Sequence, residues 1–517
     1  MKRTTRAAWV ALGLMLLWRL AMLLLVAQPM PANDAFFFDG AVINWLRHGH
    51  YCNPSLSAAY TISAHQVFAA YPPFYQLPLL GWMWGFGTSA LSEMWLHFAL
   101  FCAYAVLAVA LVRRFFPEQV SYALAALFLF GITWCERPDD LAHIFGMAAL
   151  WLIARQLGAK NPGWASKLGI ALLLFAALYT SPVGGAYYFG IGALAQGFAW
   201  WLARRRISIV AYALAAVFFA GATFAIAKTH PLWWQGFQEN ARRLSIGSGG
   251  HALHFPEVND LIKLARQAPV FLLFLAVCPL LWKQRDRLRA NASEGHLAWI
   301  ALTLGIAAMG TGLFAVVAFL LAPNYVIYVL PSQVVLAAGL LAIGEQLEFM
   351  PRRWLRGVLT ASVLFVSIRA VGLTTWGAAC ARDISYRRSC EIVRQELQPV
   401  ANTQTPVILS SAFLYAAAEL GVTNALHADW VHDHRRMGPD PDLDALQKLR
   451  SPKLILTQFD FYRNYPRTIE RLCQHPELVL VRVRDTTRTR TPDSIPRFQR
   501  VLQHVSWAPV IVELDWR

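Results

Sequence analysis

Long apolar runs separated by short polar connectors fill the first 376 residues. The runs lie near 8–28, 90–112, 119–135, 141–157, 168–180, 182–203, 207–227, 267–282, 297–321, 325–343 and 357–376. An α-helix needs roughly 20 apolar residues to cross a bilayer, so the pattern predicts about eleven transmembrane helices. Ser181-Pro182 separates the fifth run from the sixth, because proline disfavours helix at the preceding residue and lacks an N–H donor. The first run follows the basic segment Met1–Arg6. No small-residue cleavage site follows it and many further runs come later, so it reads as a retained first helix. Past residue 377 the pattern changes, and charged residues and prolines become frequent. Short β-rich runs at 406–409, 453–456 and 478–481 alternate with helix-like stretches at 386–397 and 465–474. That alternation predicts a small α/β domain over 377–517 behind a membrane module over 1–376.

Composition agrees with a bilayer solvent. Of the 517 residues, 57% are hydrophobic and 15% charged, with mean hydropathy +0.41. An ordinary soluble domain carries about 25% charged residues. The net charge of +16 gathers in connectors rather than in a basic, aromatic-rich domain, which argues against a nucleic-acid partner. With the amino terminus inside, inner connectors hold Lys2, Arg3, Arg6, Arg113, Arg114, Arg155, Lys160, Lys167, Arg204, Arg205, Arg206, Lys283, Arg285, Arg287, Arg289, Arg352, Arg353 and Arg356. Outer loops hold only Arg47, Arg137, Lys228, Arg242, Arg243, Lys263 and Arg266. Basic residues concentrate on the cytoplasmic side of membrane proteins. This orientation therefore puts the loops 29–75 and 228–266 outside, together with the carboxy-terminal domain. The seven cysteines form no CxxC. Cys380 and Cys390 lie close in sequence on the outer side, as a disulfide or as isolated thiols.

The outer loops carry the candidate chemistry. The first contains Asn33-Asp34 followed by Phe36, Phe37, Phe38 and Asp39. Charge at an apolar interface is costly and commonly functional, although Asp34 equally fits a helix N-cap. The loop ends on Tyr71-Pro72-Pro73 and an aromatic stretch running to Phe86-Gly87. Glu136-Arg137-Pro138-Asp139-Asp140 sits on the same side, either as interfacial chemistry or as caps on a helix start. In the second long loop, Glu239, Asn240, Arg242, Arg243, His251 and His254 follow a tryptophan-rich segment. Paired guanidinium groups suit phosphate and also suit snorkelling to lipid headgroups. In the tail, His427, Asp429, His432, Asp433 and His434 include metal-ligand types without standard spacing, and read as a structural or solvated loop.

Taken in order, these motifs resemble the GT-C glycosyltransferases, the group that includes protein O-mannosyltransferases and bacterial aminoarabinose transferases acting on lipid A. The resemblance covers roughly residues 1–345. It rests on Asp34 with Gly49-His50-Tyr51 behind it, on Tyr71-Pro72-Pro73 through Phe86-Gly87, on Arg137-Pro138-Asp139, on Glu239 to Pro256, and on Tyr325 with Pro331. The family's basic residue before the prolines is Tyr71 here, and the one ahead of the late tyrosine is replaced by Pro323-Asn324.

The resemblance implies a GT-C-like polytopic helical membrane protein of a bacterial inner membrane, with its α/β domain periplasmic. It implies transfer of a monosaccharide from a polyprenyl-phosphate donor to a glycan, lipid or protein hydroxyl, with inversion. Asp34 would be the base, and Asp139 or Asp140 the second acid. Tyr71, Arg137, Glu239, Asn240, Arg242, Arg243, His254 and Tyr325 would surround the donor headgroup. No cofactor is assigned, and a divalent metal stays open. The competing readings are a flippase or transporter of lipid-linked substrates and an inactive relative acting as a binding subunit. Only Arg19 and Arg369 fall well inside spans and no internal repeat is visible, whereas transporters tend to show both mid-membrane polar groups and repeats.

Overall fold

The structure, a computed structural model, describes residues 2–26, 35–115, 137–159, 163–204, 208–247, 269–290, 294–320, 331–347, 385–401, 403, 405–428, 449–458, 460–461, 477–486 and 507–517, with isolated positions at 353, 354, 357, 360, 361, 364, 368, 372 and 474. Nine of the apolar runs fold as helices among these residues: α1 (Lys2–Val26), α5 (Ala90–Phe115), α6 (Pro138–Gly158), α7 (Trp164–Thr180), α8 (Pro182–Ala203), α9 (Val210–Thr229), α11 (Pro269–Lys283), α13 (Glu294–Leu320) and α14 (Gln333–Leu347). The run at 119–135 lies outside the described residues, and the run at 357–376 is described only at isolated positions. Among the described residues four helices, over Ala90–Arg114, Pro138–Gly158, Val210–Thr229 and His296–Leu313, are long and apolar enough to cross a membrane. The break at Ser181-Pro182 occurs as the sequence predicts. Pro182 opens α8 at a position where a missing N–H costs nothing, and Ser181 Oγ accepts from Gly184 N at 3.2 Å.

The chain forms two compact units. The first comprises Met1–Arg19, Ala99–Ala225 and Ala252–Val371. Its core is a bundle in which α8 packs along α13 and the α6–α7–α8 hairpins pack side by side. Lipid supplies no hydrophobic drive between helices, so close approach depends on small residues. Gly305 on α13 shows this: a Cβ there would lie 2.8 Å from Ile191 O and 3.0 Å from Ala195 N on α8. Tyr187 on α8 shares a 2.6 Å hydrogen bond with Ser332 ahead of α14, and the Tyr104 hydroxyl on α5 donates to Pro331 O. Both bonds satisfy hydroxyl groups that have no water in a buried bundle.

The second unit comprises Leu20–Phe98, Ile226–His251 and Gly372–Arg517, and it gathers segments of both long loops with the tail. The first loop is largely helical, with α2 (Ala35–His48), a 3-10 turn at Pro54–Leu56, the short α3 (Ile62–His65) and α4 (Gln76–Phe86) beginning after the two prolines. The second loop begins with α10 (Pro231–Gly247). In the tail, α15 (Tyr386–Leu397) and α16 (Ser411–Glu419) accompany five strands, β1 (Val407–Leu409), β2 (Ala425–His427), β3 (Lys453–Thr457), β4 (Leu478–Asp485) and β5 (Pro509–Trp516). Their order is β2-β1-β3-β5-β4. The β1–β2 and β1–β3 pairs are parallel, while β5 runs antiparallel to β3 and β4. A carboxy-terminal sheet flanked by helices is thus present. Helix 386–397 and three of the strands fall where the sequence places them, and the stretch 465–474 is described only at 474. Strands β2 and β5 are additions. The first is only three residues long, and the second opens on a proline, which ordinarily marks a strand boundary.

Candidate functional site

The candidate residues divide between the two units. In the first, Pro138 starts α6 with Asp139 and Asp140 in its opening turn, where the helix dipole favours anions. Both carboxylates are buried. Arg137 Nε donates to Asp139 Oδ2 at 3.0 Å, and Ser181 Oγ donates to the other carboxylate oxygen. Asp139 is therefore held from two sides by groups from two helix starts. One turn on, His143 Nδ1 lies 3.0 Å from the Tyr188 hydroxyl on α8. These five residues make a polar cluster at the meeting of α6 and α8. The ion pair of Asp139 with Arg137 is drawn largely out of solvent.

In the second unit, Asp34 itself lies outside the described residues, and α2 begins at the next residue, Ala35. Gly40 lets this helix lie against the following turn. The Asn53 side chain occupies the space of a Gly40 Cβ, at 2.5 Å, and donates to Phe36 O and Phe37 O at 3.0 and 3.1 Å. Tyr71 is half-buried, with its ring 5.0 Å from that of Phe38. Glu239 accepts from the backbone N–H groups of Thr61 and Ile62 at 2.8 and 3.1 Å, so its carboxylate caps α3. Asn240 donates to Ala70 O at 2.8 Å and accepts from the Tyr60 hydroxyl at 3.2 Å. Both residues thus bind the two long-loop segments to each other. The backbone of Arg242 and Arg243 continues α10. His254 and Tyr325 lie outside the described residues, as do Asp429, His432, Asp433 and His434, while His427 is buried in β2. No group of three or more metal-ligand side chains gathers among the described residues. Cys390 is a buried free thiol, which burial pushes up to about 12, and Cys380 lies outside the described residues.

Sequence reasoning did not anticipate a second acidic cluster around Asp39. This carboxyl is fully buried on α2. The Tyr415 hydroxyl on α16 donates to Asp39 Oδ2 at 2.6 Å, and the Tyr75 hydroxyl lies 3.5 Å from Oδ1. Tyr75 in turn shares a 2.9 Å bond with His97 Nε2, and His97 pairs with Glu93 at 3.0 Å. Burial, reinforced by the Glu93 carboxylate and opposed by the tyrosine bonds and His97, raises Asp39 well above the ordinary carboxylate value. A sequence signal was available: Glu93 and His97 stand one turn apart in an otherwise apolar run, where unpaired polar groups are expensive. Around the same contact Phe36 N donates to Ser411 Oγ at 3.3 Å, and the Phe36 and Tyr415 rings meet edge-on at 5.0 Å. The helix that begins beside Asp34 is thereby fastened to the carboxy-terminal domain.

No protein-family model matches the chain and no curated protein does. Among solved structures, it is similar to ArnT from Cupriavidus metallidurans in the apo state, with TM-score 0.51 and 13% identity over 98% of each chain. Against ArnT from the same organism bound to undecaprenyl phosphate, the TM-score is 0.49 at 13% identity, covering 98% of this chain and 97% of that one. Against the oligosaccharyltransferase AglB from Archaeoglobus fulgidus, in complex with an inhibitory peptide and a dolichol-phosphate, it is 0.47 at 11% identity, covering 95% and 75%. At such identities the likeness speaks of fold alone: the chain shares the fold of ArnT across nearly its whole length.

Proposed function

We propose that this protein is an integral membrane glycosyltransferase that moves a monosaccharide from a polyprenyl-phosphate donor to a hydroxyl on the outer face. The observation that carries the reading is the end-to-end likeness of fold to ArnT, joined to the ordered motifs of the outer loops. In this reading the lipid tail of the donor stays in the bilayer and its headgroup meets the outer rim. Asp34 accepts the proton of the acceptor hydroxyl as that oxygen attacks the anomeric carbon. The departing polyprenyl phosphate carries the negative charge away, and Arg242 and Arg243 stabilise it. One displacement inverts the anomeric centre. Asp139, fixed by Arg137 and Ser181, orients the acceptor or its neighbours. Tyr71 offers a hydrogen bond where relatives offer a charge, which shifts phosphate binding onto the arginine pair. The amino terminus is cytoplasmic, the carboxy-terminal domain periplasmic and the membrane the bacterial inner membrane.

Mass spectrometry of envelope glycans, glycolipids and glycoproteins from cells with and without the protein tests this. One envelope species is expected to lose a single monosaccharide when the protein is absent and to regain it on complementation. The same loss with the donor accumulating on the inner leaflet would point to a flippase instead, and identical envelopes would contradict both readings.

A further inference from the structure

Cations gather over tryptophan rings at one end of the first unit's bundle. A short connector joins α6 to α7, and α7 turns back into α8 at Ser181, so the end of α6, the start of α7 and the end of α8 lie together. The short helix α12 (Arg285–Ala290), which follows α11, meets α8 at that same end. Arg155 stands over Trp151 at 4.9 Å, Lys167 over Trp164 at 5.2 Å, Arg204 over Trp200 at 4.9 Å and Arg285 over Trp282 at 5.3 Å. A fifth pair crosses between helices: the Arg289 guanidinium of α12 lies 4.6 Å from the Trp201 ring of α8.

Trp164, Trp282 and Trp200 are exposed, at 68%, 64% and 46%. Indole rings that stand out from the ends of apolar helices sit at the headgroup level of a bilayer. Deeper along the same helices, Leu168 and Leu172 on α7 and Leu275 and Leu280 on α11 are exposed as well, an apolar flank suited to acyl chains. Charge at this end is one-sided. Besides the five paired cations, Lys283 and Arg287 stand here, against Asp286 and, at the start of α13, Glu294 as acids. Asp286 lies 4.0 and 3.6 Å from Arg285 and Arg289, beyond hydrogen-bond length, and its side chain is mostly exposed. It therefore offsets little of their charge. A cation over a ring is oriented without being neutralised, and a guanidinium so placed keeps donors for phosphate oxygens. A lipid headgroup needs no enclosed cavity, because the bilayer brings it to the belt and fixes its depth.

We propose that this belt selects anionic glycerophospholipids, whose phosphates dock on Arg204 and Arg289 at the end of α8 while their acyl chains cover the leucines beneath. The basic bias of connectors orients a chain during insertion. Selection among lipids by the folded protein is a separate, equilibrium property, and it is independent of sugar transfer. Native mass spectrometry of the full-length protein tests it, with release from detergent holding equimolar dioleoylphosphatidylglycerol and dioleoylphosphatidylcholine. These two probes share acyl chains and differ in headgroup charge. The phosphatidylglycerol adduct is expected to exceed the phosphatidylcholine adduct by about fivefold or more, the weight of one basic side chain beside an anionic surface. R204Q/R289Q is expected to lower that ratio by about fivefold, whereas R387Q, at an exposed arginine of α15, leaves it unchanged. R204Q alone decides the matter should the double variant fail to fold. Equal retention of the two lipids by the wild type, a ratio unchanged in the folded belt variants, or an equal drop in R387Q would overturn the proposal.

Discussion

Replacing Asp34 with Asn is expected to lower sugar transfer by about 10²–10⁴-fold, the usual contribution of a positioned general base. An alcohol is a weak nucleophile and needs its proton removed as the bond to the anomeric carbon forms. Asparagine keeps the shape and the hydrogen-bonding reach of the side chain but cannot take up that proton. Donor binding depends on the headgroup contacts and lipid tail, so the loss falls on kcat more than on KM. The assay compares membranes containing equal amounts of folded protein. Full transfer by Asp34→Asn would remove Asp34 as the base, and Asp139 would then be the next acid to examine. Asp34 is set apart from Asp39 by what surrounds the latter. Asp39 is buried among Tyr415, Tyr75 and the Glu93–His97 pair, and its carboxyl ties α2 to α16.

Asp39 gives the second large effect. Its carboxyl titrates well above the ordinary value when folded, so the folded state holds the proton over a range where the unfolded chain releases it. The stabilisation is complete below the ordinary carboxylate value near 3.8 and is lost as pH rises through the higher folded value. Glu93 and His97 face the same group, so a difference curve between wild type and Asp39→Asn reports Asp39 together with its coupling to them. Asparagine mimics the protonated acid. The variant is expected to lose the downward slope and to exceed the wild type in stability towards neutral pH. Asp39→Ala instead strips the acceptor from the buried Tyr415 hydroxyl, at a cost of about 1–3 kcal/mol for that orphaned group. Thermal unfolding in detergent across pH reads both outcomes. Parallel curves for wild type and Asp39→Asn would show that the proton is not held there.

How far the sequence reveals this molecule depends on the range of the interaction. The apolar runs, the break at Ser181-Pro182, helix 386–397 and the strand at Lys453 are set by neighbours in sequence, and all were legible. The acids in the first turn of α6 were legible as well, because a proline and two acids at a helix start follow local rules. The Asp39 cluster was not. Its partner Tyr415 lies 376 residues away, and only the fold brings α16 onto α2. For the same reason Glu239 read as a headgroup ligand, whereas its carboxylate meets the amides of Thr61 and Ile62, 178 and 177 residues earlier. A carboxylate and two backbone N–H groups look alike in sequence wherever they lie.

Transfer at the outer rim requires that the acid-bearing start of α2 and the Arg137 end of α6 face the same compartment. Single cysteines at positions 34 and 137, in a chain whose seven native cysteines are replaced, can be challenged with a membrane-impermeant maleimide on intact spheroplasts. Both positions should label from outside, before any permeabilisation. Labelling of one from outside and of the other only after the membrane is opened would contradict the account at its root.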